Sequence, residues 1–99
     1  MATNEAIRTL IELIEINEEA AKGFQAASDG VAQRELETLF RLYAAQRREF
    51  AVTLKNQIKR LGGDMESETV RSMIDHARAK LHHARTLVRA ALSGGSRHA

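Results

Sequence analysis

From Ala6 to Asp64 the chain carries two long amphipathic patterns, interrupted only at Ser28-Asp29-Gly30 and closed by Leu61-Gly62-Gly63-Asp64. Apolar residues recur first at Ile7, Leu10, Ile11, Ile14, Ala21 and Phe24. They recur again at Leu36, Leu39, Phe40, Tyr43, Phe50, Leu54, Ile58 and Leu61, the three-and-four spacing that gathers side chains on one stripe of a helix. The break between the patterns is so short that the second helix must fold back against the first. Gly62-Gly63 ends the second, because glycine accepts the left-handed conformation that closes a helix C-terminus.

A third stripe follows Ser67, a candidate N-cap, through Val70, Met73, Ile74, Ala77, Leu81, Ala84, Leu87, Val88, Ala91 and Leu92, with Gly94-Gly95 as the matching stop. Thr3 or Asn4 is the expected cap of the first helix. The spacing therefore predicts one all-α domain over residues 1–99: an antiparallel hairpin plus a third amphipathic helix, at about 4–28, 32–62 and 67–93, with a flexible tail over 94–99. The absence of proline and tryptophan, with only 4% aromatic residues, favours uninterrupted helices. With 99 residues there is room for one hydrophobic core and no second domain.

Composition narrows the functional classes. The chain has no cysteine, so disulfides and thiolate metal sites are excluded. Met1-Ala2-Thr3-Asn4 lacks the basic and apolar regions of a signal peptide, and no apolar run approaches the roughly 20 residues that span a bilayer; the expected location is cytoplasmic. Charge is distributed unevenly. Residues 1–29 hold Glu5, Glu12, Glu15, Glu18, Glu19 and Asp29 against Arg8 and Lys22, whereas residues 70–99 hold Arg71, Arg78, Lys80, Arg85, Arg89 and Arg97 against Asp75. Such polarity aligns neighbouring antiparallel helices, steers subunits together or attracts an acidic partner, and complementary helix surfaces are the favoured reading.

Catalytic chemistry finds no complete constellation. The serines and threonines lack a His-plus-carboxylate arrangement, and no Gly-rich loop leads from a strand into a helix. His76 and His83 lie two turns apart, too far for one ion to bridge, and His82 points away from His83; with His98 these read as surface histidines. Glu15 and Glu19 with Glu49 are weak candidates for a metal, because no Glu-x-x-His pair accompanies them. Arg71, Arg78 and Arg85 fall at heptad intervals, a candidate phosphate-facing row, but residues 65–99 offer no aromatic side chain for base stacking or membrane anchoring. If Ala27 lies near Leu36, Asn17 comes opposite Gln46 with Arg47 beside them. This polar layer is expected to fix register inside an oily seam.

The order Leu13-Ile14-Glu15-Ile16-Asn17, Gly23-Phe24-Gln25-Ala26-Ala27, Leu36-x-x-Leu39-Phe40, Gln46-Arg47-x-x-Phe50 and Leu61-Gly62-Gly63 resembles an uncharacterised ferritin-like, rubrerythrin-related bacterial family of four-helix bundles. The likeness covers roughly residues 4–64 and returns at Ala91-Leu92-Ser93-Gly94-Gly95, which resembles the junction into that family's second hairpin. The resemblance implies a bundle fold, a stress-associated role and no defined activity. Gln46 stands where members of that family often carry a carboxylate, which weakens a di-iron site.

The chain would then be half a bundle, with apolar stripes too wide for one copy to cover. The expectation is a non-enzymatic protein without cofactor that self-associates, most simply as a homodimer whose two hairpins complete a four-helix core. Its expected interface comprises Ile7, Ile11, Ile14, Phe24, Phe40, Tyr43, Phe50 and Leu54. A degenerate di-iron-type metal protein is the alternative, and a basic helix that binds nucleic acid or an anionic membrane is a further one.

Overall fold

The computed structural model describes residues 2–96, with side chains from Asn4 to Ser93. The described residues form three helices and no strand: α1 over Ala2–Gly30, α2 over Arg34–Arg60 and α3 over Glu68–Ser96. The all-helical class and the hairpin read from the spacing are present, and the element ends differ in instructive ways.

Helix α1 already runs at Ala2, so Asn4 lies inside it rather than capping it. At its other end the helix continues through Ser28-Asp29-Gly30, the expected turn. Asp29 is held in helical register by Gln25, whose side-chain amide donates to Asp29 Oδ1 at 3.2 Å, and Ser28 is buried with its hydroxyl donating to the Glu37 carbonyl at 3.0 Å. Groups that usually break a helix here satisfy one another or clamp the first turn of α2. The reversal falls instead on residues 31–33.

The C-terminus of α2 follows the glycine rule. Gly62 adopts φ +83°, its N–H bonds the Lys59 carbonyl at 3.0 Å, and Gly63 N–H reaches the Ile58 carbonyl at 2.9 Å. This pair is the Schellman closure of a helix. Ser67 then caps α3, its hydroxyl accepting from Val70 N–H at 3.2 Å. The expected stop at Gly94-Gly95 is not used, because α3 runs on to Ser96. Residues 97–99 of the expected tail lie outside the described part.

The core is narrow. Ile7, Ile11 and Ile14 of α1, Ala51 and Ile58 of α2, and Val70 and Ala77 of α3 form one buried cluster, with Leu10, Leu54, Met65, Met73 and Ile74 packed around it. Helix α1 is the centre of the assembly: α2 packs along it on one side and α3 on another, and α2 and α3 make no backbone approach among the described residues. Two short joints set the directions, down in α2 and up again in α3, so α3 runs parallel to α1. The antiparallel alignment expected from the charge gradient is therefore corrected by connectivity. The result is a slab of 50 × 34 × 18 Å with a radius of gyration of 16.6 Å. A compact domain of this length measures about 13 Å; much of the molecule is surface.

Candidate functional site

On α1, helical spacing puts Leu10, Leu13, Asn17, Ala20 and Phe24 on one flank and Ile11, Glu15, Glu18 and Lys22 on the other. The first flank faces the same way as the Leu36, Tyr43, Arg47, Phe50 and Leu54 row of α2, as the contacts across the hairpin show. Phe24 lies 5.3 Å from Tyr43 and 6.3 Å from Phe40 between ring centroids, and Arg47 Nη1 donates to Asn17 Oδ1 at 3.4 Å. On the opposite flank Lys55 pairs with Glu18 at 3.0 Å and Arg48 reaches Gln25. Helix α3 sits toward that opposite flank, on Glu12, Glu15 and Glu19.

Among the described residues, one broad face of the hairpin is consequently left without a layer above it. Leu13 is 42% exposed and Phe50 55%, and Leu36, Leu39 and Tyr43 are exposed beside them. Isolated apolar residues on a surface are ordinary, but a continuous two-helix strip is not. At its middle, Arg47 lies over the Phe50 ring with 5.8 Å from guanidinium carbon to centroid, while Asn17 Nδ2 donates back to the Leu13 carbonyl at 2.8 Å.

The residues singled out from the sequence divide between this face and elsewhere. Asn17 and Arg47 come together; Gln46 is exposed at the margin and takes no part in their contact. In the single chain these groups lie at the surface of the seam, because α3 packs on the opposite flank of α1 and makes no backbone approach to α2. Phe24, Phe40, Tyr43, Phe50 and Leu54 belong to the face or its floor. Ile7, Ile11 and Ile14, expected at an interface between copies, are 4%, 1% and 2% exposed and are spent inside the chain's own core. Helix α3 contributes Val70 and Ala77 to that cluster and so removes the isoleucines from any outer surface. Sequence reasoning missed Leu13 and Ile16 as surface apolar residues. Their signal was a second row, Leu13, Ile16, Ala20 and Ala27, running at heptad spacing behind the stronger isoleucine stripe.

The acidic row of α1 is engaged by α3. Glu12 accepts from Lys80 Nζ at 2.8 Å, Glu15 from Arg78 Nε at 2.8 Å, and Glu19 from Arg85. Glu15 is buried, so its charge is compensated where water is scarce. The bond from Lys80 and its positive charge hold the Glu12 carboxyl below its ordinary value, and Glu15 pushes Arg78 above the usual guanidinium value. Glu15 and Glu19, two of the weak metal candidates, are thus tied to arginines, while Glu49 lies exposed on α2. No cluster of three or more His, Asp or Glu side chains able to hold a metal occurs among the described residues. Two members of the Arg71, Arg78, Arg85 row face carboxylates of the same chain, which reduces the charge that row can offer to phosphate. Among the described residues no helix is long and apolar enough to cross a membrane.

Residues 5–99, nearly the whole chain, match the family described as Domain of unknown function (DUF2383). No curated protein and no solved structure matches the chain.

Proposed function

Because the chain belongs to the DUF2383 family, whose description assigns no activity, we propose that it is a non-enzymatic, self-associating helical protein. Two copies pair through their open hairpin faces and form a ferritin-like four-helix core, with each α3 strapped to the outside of its own α1. The observation that carries this reading is the continuous strip of Leu13, Phe24, Leu36, Leu39, Tyr43 and Phe50 on the side of the hairpin away from α3.

The size of the strip suits a second copy. The 27 residues of α2 give a length of about 40 Å, and two helices about 10 Å apart give a width of about 20 Å. Roughly 800 Å² per partner is the standard area of a stable protein interface. The Asn17–Arg47 contact in its middle supplies a polar layer of the kind that selects one register among several apolar ones.

Sedimentation of the full chain over micromolar concentrations tests the proposal. A dimer is expected, and Phe50→Glu or Leu13→Glu is expected to give a monomer with unchanged helical circular dichroism. A wild-type chain that stays monomeric up to about 100 times the usual micromolar range would rule the dimer out, since an interface of this area ordinarily binds more tightly.

A further inference from the structure

Arg47 is the one charged side chain that helical spacing puts on the open hairpin face. Among the described residues no carboxylate pairs with it; its contacts are the Asn17 amide oxygen and the Phe50 ring. Five other cations of the hairpin and of α3 have a carboxylate partner: Arg41 has Glu37, Lys55 has Glu18, Arg78 has Glu15, Lys80 has Glu12 and Arg85 has Glu19.

Position makes the lone charge consequential. Arg47 is the midpoint of α2, with 13 residues of Arg34–Arg60 on each side. A two-fold axis that brings two such faces together lies in the plane between them, along the helices or across them. An axis along the helices keeps every height opposite itself, and an axis across them does so for the mid-height layer when it passes through that height. Two Arg47 and two Asn17 side chains would then share the centre of an apolar seam. A guanidinium has five N–H donors and Asn17 offers one acceptor oxygen, so most donors are left without a partner as water is expelled. Like charges brought together in that medium also repel far more than in water.

We infer that the dimer closes around a small tetrahedral oxyanion, sulfate or phosphate in charge and shape, gripped between the two Arg47 guanidiniums. Each planar fork presents parallel N–H groups to a pair of oxygens, and the anion cancels the charge that would otherwise oppose closure. This inference rests on the dimer reading and adds an anion-binding site to it. Self-association then becomes responsive to the anion, because whatever binds the closed form alone shifts the equilibrium toward it.

Sedimentation of the full chain in chloride, acetate, sulfate and phosphate at one ionic strength provides the test. The dimer dissociation constant is expected to fall at least about tenfold in millimolar sulfate or phosphate relative to chloride. Arg47→Met, which keeps a long apolar stem and removes the charge, is expected to dimerise equally in all four salts and more tightly than wild type in chloride. Circular dichroism establishes that the variant is folded, and Arg47→Lys, which keeps the charge, retains the dependence if folding of the first is impaired. A wild-type constant that is the same in all salts, tightening by acetate alone, or a sulfate response that survives in Arg47→Met each overturns the anion site and leaves the dimer standing. A chain monomeric in every salt removes both.

Discussion

Gly63 shows how much can depend on one missing carbon. A Cβ at this position would lie 2.6 Å from Ile58 Cγ2 and 3.0 Å from Ile7 Cδ1, and Ile58 is fully buried. Gly63→Ala is therefore expected to lower stability by about 1–3 kcal/mol, the usual penalty for forcing a methyl into a packed core. Gly62→Ala is expected to cost about 1–2 kcal/mol for a different reason, its positive φ. Gly23 lies within α1, where an added methyl group would meet nothing within 4 Å, so Gly23→Ala should raise stability by about 0.5–1 kcal/mol through helix propensity. Urea unfolding of the three variants distinguishes these signs; a destabilised Gly23→Ala or a neutral Gly63→Ala would contradict the packing described. The glycine pair was legible in the sequence as a helix stop, since left-handed closure is a local property. That Gly63 also admits Ile7 was not, because the contact joins residues more than fifty positions apart. Ser28 and Asp29 illustrate the converse: their residue types signal a turn, and a hydrogen bond to the Glu37 carbonyl and another from Gln25 keep them helical.

At the scale of elements, α3 is the most weakly held. Its apolar contact with α1 is built largely from Val70, Met73, Ile74 and Ala77, and the rest of the attachment is ionic. Lys80 holds the folded-state pKa of Glu12 below its ordinary value, so the unfolded chain takes up this proton more readily than the folded one. The stabilisation from that contact is present above the ordinary carboxylate range near pH 4 and is lost as pH falls through the lowered folded value. Hydrogen exchange followed on acidification is expected to show the amides of α3 losing protection before those of α1 and α2; simultaneous loss in all three helices would contradict this order. A double-mutant cycle with Glu15→Gln and Arg78→Met should give a coupling of about 0.5–1 kcal/mol, since the arginine is largely exposed and screened by solvent. The acidic and basic segments were visible in the sequence as partners. Charge totals carry no orientation; the two short joints, which return the third helix to the direction of the first, carry the parallel direction.

For the molecule as a whole, the question is where apolar surface goes when a slab 18 Å thick has too little interior to receive it. The sequence revealed the surplus in the width of the stripes and named Phe24, Tyr43 and Phe50, but it assigned Ile7, Ile11 and Ile14 to the same surface because it could not show that α3 lies over them. Ile11→Ala should accordingly destabilise the folded chain by about 2–5 kcal/mol, as a buried truncation does, whereas Phe50→Glu should leave the single chain's fold intact. Along the distal part of α3, Leu87, Val88 and Leu92 are exposed as well, yet they form one helix's stripe rather than a two-helix face. The two surfaces predict different behaviour on thermal unfolding. If the hairpin faces pair, unfolding converts one dimer into two chains, and each tenfold rise in protein concentration adds about 1.4 kcal/mol to the apparent stability. The melting temperature should then climb by several degrees per decade of concentration. Phe50→Glu should abolish that climb and Leu92→Glu should preserve it. A concentration-dependent melt that survives Phe50→Glu and disappears with Leu92→Glu would move the association from the hairpin to α3, and with it the place of Arg47 in the assembled core.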